Sequence, residues 1–476
     1  MLKLLLKNSI IYTISDFIGK IISFFLIPVY TQLLTPEDYG IIDLFAVLAS
    51  ISLMMVSFQI NQGMARYYHE LKHNILIKIY ASTTLAFALI TFSLFSALSI
   101  VFVDLINDSV FNSKLSYNTL YILIAFIFLK GIYYIASSHL KWKGQATKES
   151  ICNVTNTLIG ICFSFVFIVI ENEGVYGFFK GQLIGCFIAL ILSLIFSRKD
   201  YGNYFSFKIL KKLLSFGAPL ILSAISVFFI LYTDRIMIKY YLGFDELGVY
   251  GIGVRIASLI SFFVVGLNAA LSPLIYFHYK TSKMAKELSY VFKIFNLALI
   301  ISIVFLSIFS KEILELLTTS KYFGAEYLIP ILSISILVQS WNNFSPGLSI
   351  AKKTKLITKI SVLAGGVNFV LNLFLIPSIG LIGATISTLF SYLINFYLLN
   401  YFGQKEYKIE LFSFKFGLLT VSGIVAYFLV LLLSNYSFSN IASLKAVVFI
   451  TFLSFSLILF KIEIVDVIKK IKTKFL

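Results

Sequence analysis

The sequence predicts an all-α integral membrane protein of about fourteen transmembrane helices, built as two pseudo-symmetric six-helix lobes plus two C-terminal helices. Three observations predict it. Of 476 residues, 59% are apolar and only 13% charged, where a soluble domain carries about 25% charged residues. Apolar runs of about 20 residues, the length that crosses the hydrocarbon, recur from end to end. Segments of the first half also return in the second at a nearly constant offset.

The first run, 10–34, is too long for a cleavable signal, carries Asp16 and Lys20, and lacks a small-residue cleavage site. The second, 41–61, is announced by Thr35-Pro36-Glu37-Asp38. Thr35 suits an N-cap, Pro36 the first helical position, and the two acids complement the helix dipole. Runs 78–103, 117–138, 151–170 and 175–197 complete a first set of six. A basic, partly amphipathic linker follows at 198–214, expected along the anionic cytoplasmic leaflet. The second set is 215–240, 248–276, 291–310, 325–350, 360–376 and 380–402, and the last two runs are 413–434 and 441–460.

The repeat joins these sets. Residues 33–51 align with 241–259 at an offset of 208, Thr147-Lys148 with Thr354-Lys355 at 207, and 174–177 (GVYG) with 380–383 (GLIG) at 206. Six spans is an even number, so both lobes have one orientation, as in parallel-repeat transporters. The expected domains are a lobe at 1–197, the linker at 198–214, a lobe at 215–404, and two helices with a basic tail at 405–476.

The net charge of +17 could suggest nucleic acid, but no soluble basic face is present to bind it. With a cytoplasmic N-terminus, 29 of the 39 Lys and Arg fall on cytoplasmic segments, five outside and five within spans. That asymmetry fixes the expected topology, with both termini cytoplasmic. No connection exceeds about twenty residues and no P-loop occurs, which excludes a resident ATP motor. Cys152, Cys162 and Cys186 sit in apolar stretches and offer neither a disulfide framework nor a zinc knuckle.

Charges within lipid are costly and usually face a cavity. On span 1, Thr13, Asp16, Lys20 and Ser23 share one helical face. Span 2 carries Asp43, Ser50, Ser57 and Asn61, and span 4 carries Lys130 near mid-membrane. Span 7 bears Asp234-Arg235 and span 8 Arg255, and Lys180 lies near the outer end of span 6. Five basic residues (Lys20, Lys130, Lys180, Arg235, Arg255) against three acidic ones (Asp16, Asp43, Asp234) describe a cavity leaning cationic, suited to an anionic substrate. Lys20, Lys130 and Arg255 reach an interface least easily. Lys180 can snorkel, and Asp234-Arg235 can be a structural pair.

One catalytic pattern stands apart. His69-Glu70-Leu71-Lys72-His73 matches H-E-x-x-H, the zinc-metalloprotease helix motif. It falls in a polar loop, and only His139 and His278 remain elsewhere. The expectation is therefore no metal, no cofactor and no enzyme, with a membrane metalloprotease as the last-ranked alternative.

Residues 8–44 (NSIIYTISDFIGKIISFFLIPVYTQLLTPEDYGIIDL), above all Pro28, Tyr30, Thr31 and Thr35 to Gly40, resemble the opening of bacterial polysaccharide-biosynthesis membrane proteins. These are the O-antigen and lipid-linked oligosaccharide flippases of the multidrug/oligosaccharidyl-lipid/polysaccharide exporter superfamily. The resemblance implies export of undecaprenyl-diphosphate-linked oligosaccharide across the bacterial cytoplasmic membrane by alternating access. It implies membrane lipids, a polymerase and glycosyltransferases as partners, and a monomer is expected. Lys20, Lys130, Arg255, Arg235 and Lys180 are then the candidates for the anionic cargo, and Asp16 and Asp234 for ion coupling. The alternative within the superfamily is a multidrug/cation antiporter.

Overall fold

The computed structural model describes residues 2–68, 70–71, 73–278, 281, 284–434, 441–462 and 465, and contains helices and no strand among them. Two compact units result, Met1–Gly248 and Val249–Leu476. Among the described residues, twelve helices are long and apolar enough to cross a membrane, or thirteen with one bent pair counted as a span.

The first unit begins with that bent pair, α1 (Leu2–Phe25) and α2 (Ile27–Leu33), at 40° to each other. Pro28 opens α2 and cannot supply the hydrogen bond that would continue α1. In α3 (Pro36–Val56) the sequence expectation holds in detail. The Thr35 amide donates to Asp38 Oδ2 at 2.9 Å and the Asp38 amide donates to Thr35 Oγ1 at 3.2 Å, a reciprocal capping box with Pro36 at the first position. There follow α4 (Ile60–Tyr68), α5 (Asn74–Val101), α6 (Val103–Phe111), α7 (Tyr117–Trp142), α8 (Ala146–Val169) and α9 (Gly174–Ser197). The linker region forms a short turn and α10 (Phe207–Gly217), which buries Leu210 and Leu213 at i,i+3 while Lys208 and Lys211 stay exposed. The seventh expected span is α11 (Leu220–Leu242), whose N-terminus sits behind Pro219, and α12 (Phe244–Ala257) crosses the unit boundary.

The second unit continues with α13 (Ser261–His278), α14 (Met284–Ile308), α15 (Ser310–Leu317), α16 (Leu328–Ser340) and α17 (Gly347–Ile350). It ends with α18 (Thr354–Ile379), α19 (Leu381–Glu406), α20 (Phe414–Ser434) and α21 (Ile441–Leu459).

Backbone detail supports the repeat read from the sequence. At the end of α7 the amides of Gly144 and Gln145 donate to the carbonyls of Lys141 and Leu140, with Gly144 at φ +74°. In the second unit the amides of Lys352 and Lys353 donate to Ser349 and Leu348, with Lys352 at φ +58°. Both are Schellman caps, and the matched residues lie 208 apart. The chain's two tryptophans each donate to a buried asparagine, the Trp142 indole to Asn61 Oδ1 at 3.2 Å and the Trp341 indole to Asn296 Oδ1 at 2.7 Å.

A reciprocal contact lies inside the first unit. A Cβ at Gly40 would overlap the carbonyl oxygen of Phe244, and a Cβ at Gly248 would overlap that of Pro36. Gly40 and Gly248, like Pro36 and Phe244, are 208 residues apart. The first turns of α3 and α12 thus meet backbone to backbone, each glycine serving the other turn's first residue.

Candidate functional site

The in-span charges separate into those the fold pairs and those it does not. Asp43 ends the second turn of α3, and Asp234 and Arg235 lie in the second half of α11. Arg235 Nε donates to Asp43 Oδ2 at 2.7 Å, and its Nη1 lies 3.4 Å from Asp234 Oδ1 and 3.1 Å from the Leu231 carbonyl oxygen. The side chains of Arg235 and Asp43 are 13% and 16% exposed, so the guanidinium is largely desolvated and two carboxylates balance it. Three predicted residues come together here, in a node that holds α3 to α11.

Lys180 is also paired. Its ammonium lies 3.0 Å and 3.1 Å from the Glu173 oxygens and 3.3 Å from Glu171 Oε2, over the Phe167 ring at 4.0 Å. The stem extends toward the α8–α9 connection, where the acids sit, as snorkelling requires.

Lys130 differs. It stands mid-way along the 26-residue α7, and residues at i−4 and i+3 share its face. Those residues are Phe126 and Tyr133, with ring centroids 6.0 Å and 5.5 Å from the ammonium. Among the described residues it forms no ion pair and no hydrogen bond. A mid-span lysine against ring faces, with no carboxylate partner among the described residues, is uncommon in a membrane helix.

The remaining predicted residues are placed one by one. Lys20 is exposed on α1, and Arg255 is half-buried on α12, its carbonyl accepting from Ser258 Oγ at 2.6 Å. Asp16 lies in α1, with its side chain outside the described residues. His69 and Lys72 of the H-E-x-x-H pattern also lie outside them, and among the described residues no three His, Cys, Asp or Glu side chains could hold a metal ion.

Sequence reasoning missed three polar clusters. Beside Lys130, Tyr133 donates to Asn153 Oδ1 at 2.6 Å, and Asn153 donates to Glu149 Oε1 at 2.8 Å, lining α8 with polar groups. The signal was present as Glu149, Asn153 and Thr157 at i, i+4, i+8. At the other end of α7, His139 Nε2 and Lys143 Nζ meet Asp200 at 3.1 Å and 2.6 Å. Burial, with the Asp200 carboxylate second, pushes the nearby Tyr68 phenol up to about 12, so it stays neutral. In the second unit, Asn368 and Asn372 are fully buried on α18 and share a 3.0 Å hydrogen bond, while Ser387 and Ser391 are fully buried on α19.

With this geometry in place, the sequence comparison decides the family. The polysaccharide biosynthesis protein model matches residues 5–278, more than half of the chain. The chain belongs to the polysaccharide biosynthesis protein family. The MatE model matches residues 219–374 as well. Among relatives, the uncharacterized membrane protein MJ1068 of Methanocaldococcus jannaschii is 25% identical over 450 residues, covering 87% of this chain and 86% of the relative. The probable low-salt glycan biosynthesis flippase Agl15 of Haloferax volcanii is 23% identical over 428 residues, 88% of each chain. Among solved structures, the lipid II flippase MurJ in an inward closed conformation superposes with a TM-score of 0.74 at 19% identity, covering 96% of this chain and all of that one. The fold is therefore that of the two-lobed helical transporters. The resemblance read from residues 8–44 and the all-α membrane architecture are both borne out.

Proposed function

We propose that this family member is a flippase. It moves undecaprenyl-diphosphate-linked oligosaccharide repeat units from the cytoplasmic to the outer leaflet by alternating access, for cell-surface polysaccharide assembly. Both termini are then cytoplasmic, glycosyltransferases supply the cargo and a polymerase consumes it. The observation that carries the reading is Lys130, a mid-span ammonium among aromatic faces with no carboxylate partner among the described residues. An anionic diphosphate is the counter-charge such a residue lacks. We assign Lys20, Lys130 and Arg255 to the diphosphate, with Arg235 and Lys180 reaching it only by releasing a carboxylate. Asp16 and Asp234 are the candidates for ion coupling. An inside-negative potential favours outward movement of the cargo by about 2.3 kcal/mol per charge per 100 mV.

The MatE match favours a second reading, a multidrug/cation antiporter. Such a transporter needs a carboxylate available to a cation, whereas Asp43 is bound to Arg235 at 2.7 Å. Reconstituted proteoliposomes separate the two. The expected outcome is flipping of a fluorescent prenyl-diphosphate oligosaccharide, faster when the potential favours outward movement, with no efflux of a cationic dye. Dye efflux without flipping would establish the antiporter instead.

A further inference from the structure

Residues 198–217 follow the sixth expected span and carry five basic residues against one acid. The acid is already engaged, since Asp200 meets His139 and Lys143 at 3.1 Å and 2.6 Å. Lys212 is engaged as well, its ammonium donating to Tyr80 Oη at 3.2 Å above the Tyr67 ring. Arg198, Lys199, Lys208 and Lys211 are exposed and form no ion pair among the described residues. An amphipathic helix at a membrane surface normally turns its apolar face to lipid. Here the protein takes that face, because α10 buries Leu210, Leu213 and Gly217 and packs on α4. The approach is backbone to backbone: a Cβ at Gly63 would overlap the Leu213 carbonyl oxygen, and one at Gly217 would overlap that of Gln59. The helix is thereby fixed with its basic side outward.

Aromatic residues edge that basic side. Tyr204, Phe205 and Phe207 are 41%, 52% and 72% exposed, and Phe207 stands one helical turn from Lys211. Two hydrogen bonds tie the segment before α10 to α5. The Gly202 amide donates to Ser82 Oγ at 2.9 Å, and the Ser206 amide donates to Thr83 Oγ1 at 3.1 Å. Beside these ties lies a cleft of about 300 Å³, with Leu85, Ala86 and Leu89 of α5 on one wall and Asn203, Tyr204 and Phe205 on the other. Beyond it α5 continues as an apolar span with Ile90 and Leu94 exposed. A lipid-facing helix thus runs into a cleft flanked by exposed rings and a basic helix.

We infer that this edge of the first unit is a docking surface for an acidic phospholipid of the cytoplasmic leaflet. An acyl chain runs along α5 past Leu85 and Leu89, and the glycerol and ester groups lie at the cleft. The rings of Tyr204 and Phe205 suit that interfacial level, and the headgroup phosphate meets Lys208 and Lys211. Charge complementarity and continuity with a lipid-facing span select this occupant. Exposed cations beside an apolar helix fit a ligand that is anionic at one end and hydrocarbon at the other. A free phosphate would leave the aromatic edge and the cleft unused. The inference needs only that residues 198–217 be cytoplasmic, and it is independent of what cargo the protein carries.

The test is native mass spectrometry of the purified full-length protein with phosphatidylglycerol and phosphatidylcholine of matched acyl chains. The expected result is phosphatidylglycerol bound about tenfold tighter, falling to about twofold in Lys208→Gln/Lys211→Gln, as loss of two surface cations implies. Lys208→Arg/Lys211→Arg should keep the wild-type preference. Lys355→Gln/Lys359→Gln, which removes two exposed charges from α18, should keep it too. Phe207→Ser should weaken both lipids alike. No preference in the folded wild-type protein would overturn the inference, and so would a preference that survives Lys208→Gln/Lys211→Gln. Equal loss in the α18 variant would reduce the effect to general charge and overturn it. Displacement of the lipid by inorganic phosphate would make this a free-anion site and overturn it as well.

Discussion

Lys130 in the first unit and Lys445 in the second are both lysines inside apolar helices, and the fold treats them oppositely. Lys445 is clamped by Glu312, and its removal leaves a carboxylate without its cation. Lys130 lies against Tyr133 and Phe126 with no carboxylate partner among the described residues, so its removal leaves behind only ring faces. The first arrangement stabilises a helix that the repeat does not supply. The second has no carboxylate to stabilise, and under the proposed function its charge meets the cargo. Composition counts both as membrane lysines, and the pairing decides what each one does.

Substitutions can break or sharpen that contrast. The largest effect is expected at Lys130: Lys130→Met should reduce flipping in proteoliposomes at least about 100-fold, as loss of a charge-assisted contact to the cargo does, while the melting temperature holds or rises. Next comes Arg235→Ala, which strands Asp43 and Asp234 with like charges and should cost about 3 kcal/mol in thermal or denaturant unfolding. Lys445→Met should cost about 2 kcal/mol, less because Glu312 is about one-third exposed and partly solvated. The smallest is Lys352→Gly. Its position has φ +58° where the matched residue of the first repeat is Gly144. Relief of a left-handed residue should stabilise by about 1 kcal/mol, read as a raised melting temperature. Together these would separate charges that hold the fold from the charge that meets the cargo.

How much of this was legible depends on the range of each interaction. The α3 capping box was readable because Thr35 and Asp38 are three residues apart and the chemistry is local. The duplication was readable because a fixed offset survives in sequence, and the paired caps at Gly144 and Lys352 carry it into backbone geometry. Arg235 with Asp43 spans 192 residues, and no helical periodicity joins residues on different helices. The sequence offered Asp234-Arg235 as a structural pair and Lys180 as a snorkelling residue, but not Asp43 or the two glutamates as their partners. Glu149 and Asn153 had the right spacing, but Glu149 falls in the connection before the run at 151–170 and Asn153 within it, so the linear reading did not join them on one face of α8. The Lys445–Glu312 pair needed α15, a helix of 8 residues that a search for 20-residue spans passes over.

The most direct measurement compares flipping of a fluorescent prenyl-diphosphate oligosaccharide by Lys130→Met, Lys130→Arg and Lys180→Met proteins in proteoliposomes at matched protein density. Lys130→Met should abolish it, Lys130→Arg should retain a substantial part, and Lys180→Met should stay near wild type because its charge is held by Glu171 and Glu173. Wild-type flipping by Lys130→Met, with the protein folded and inserted, would contradict the account.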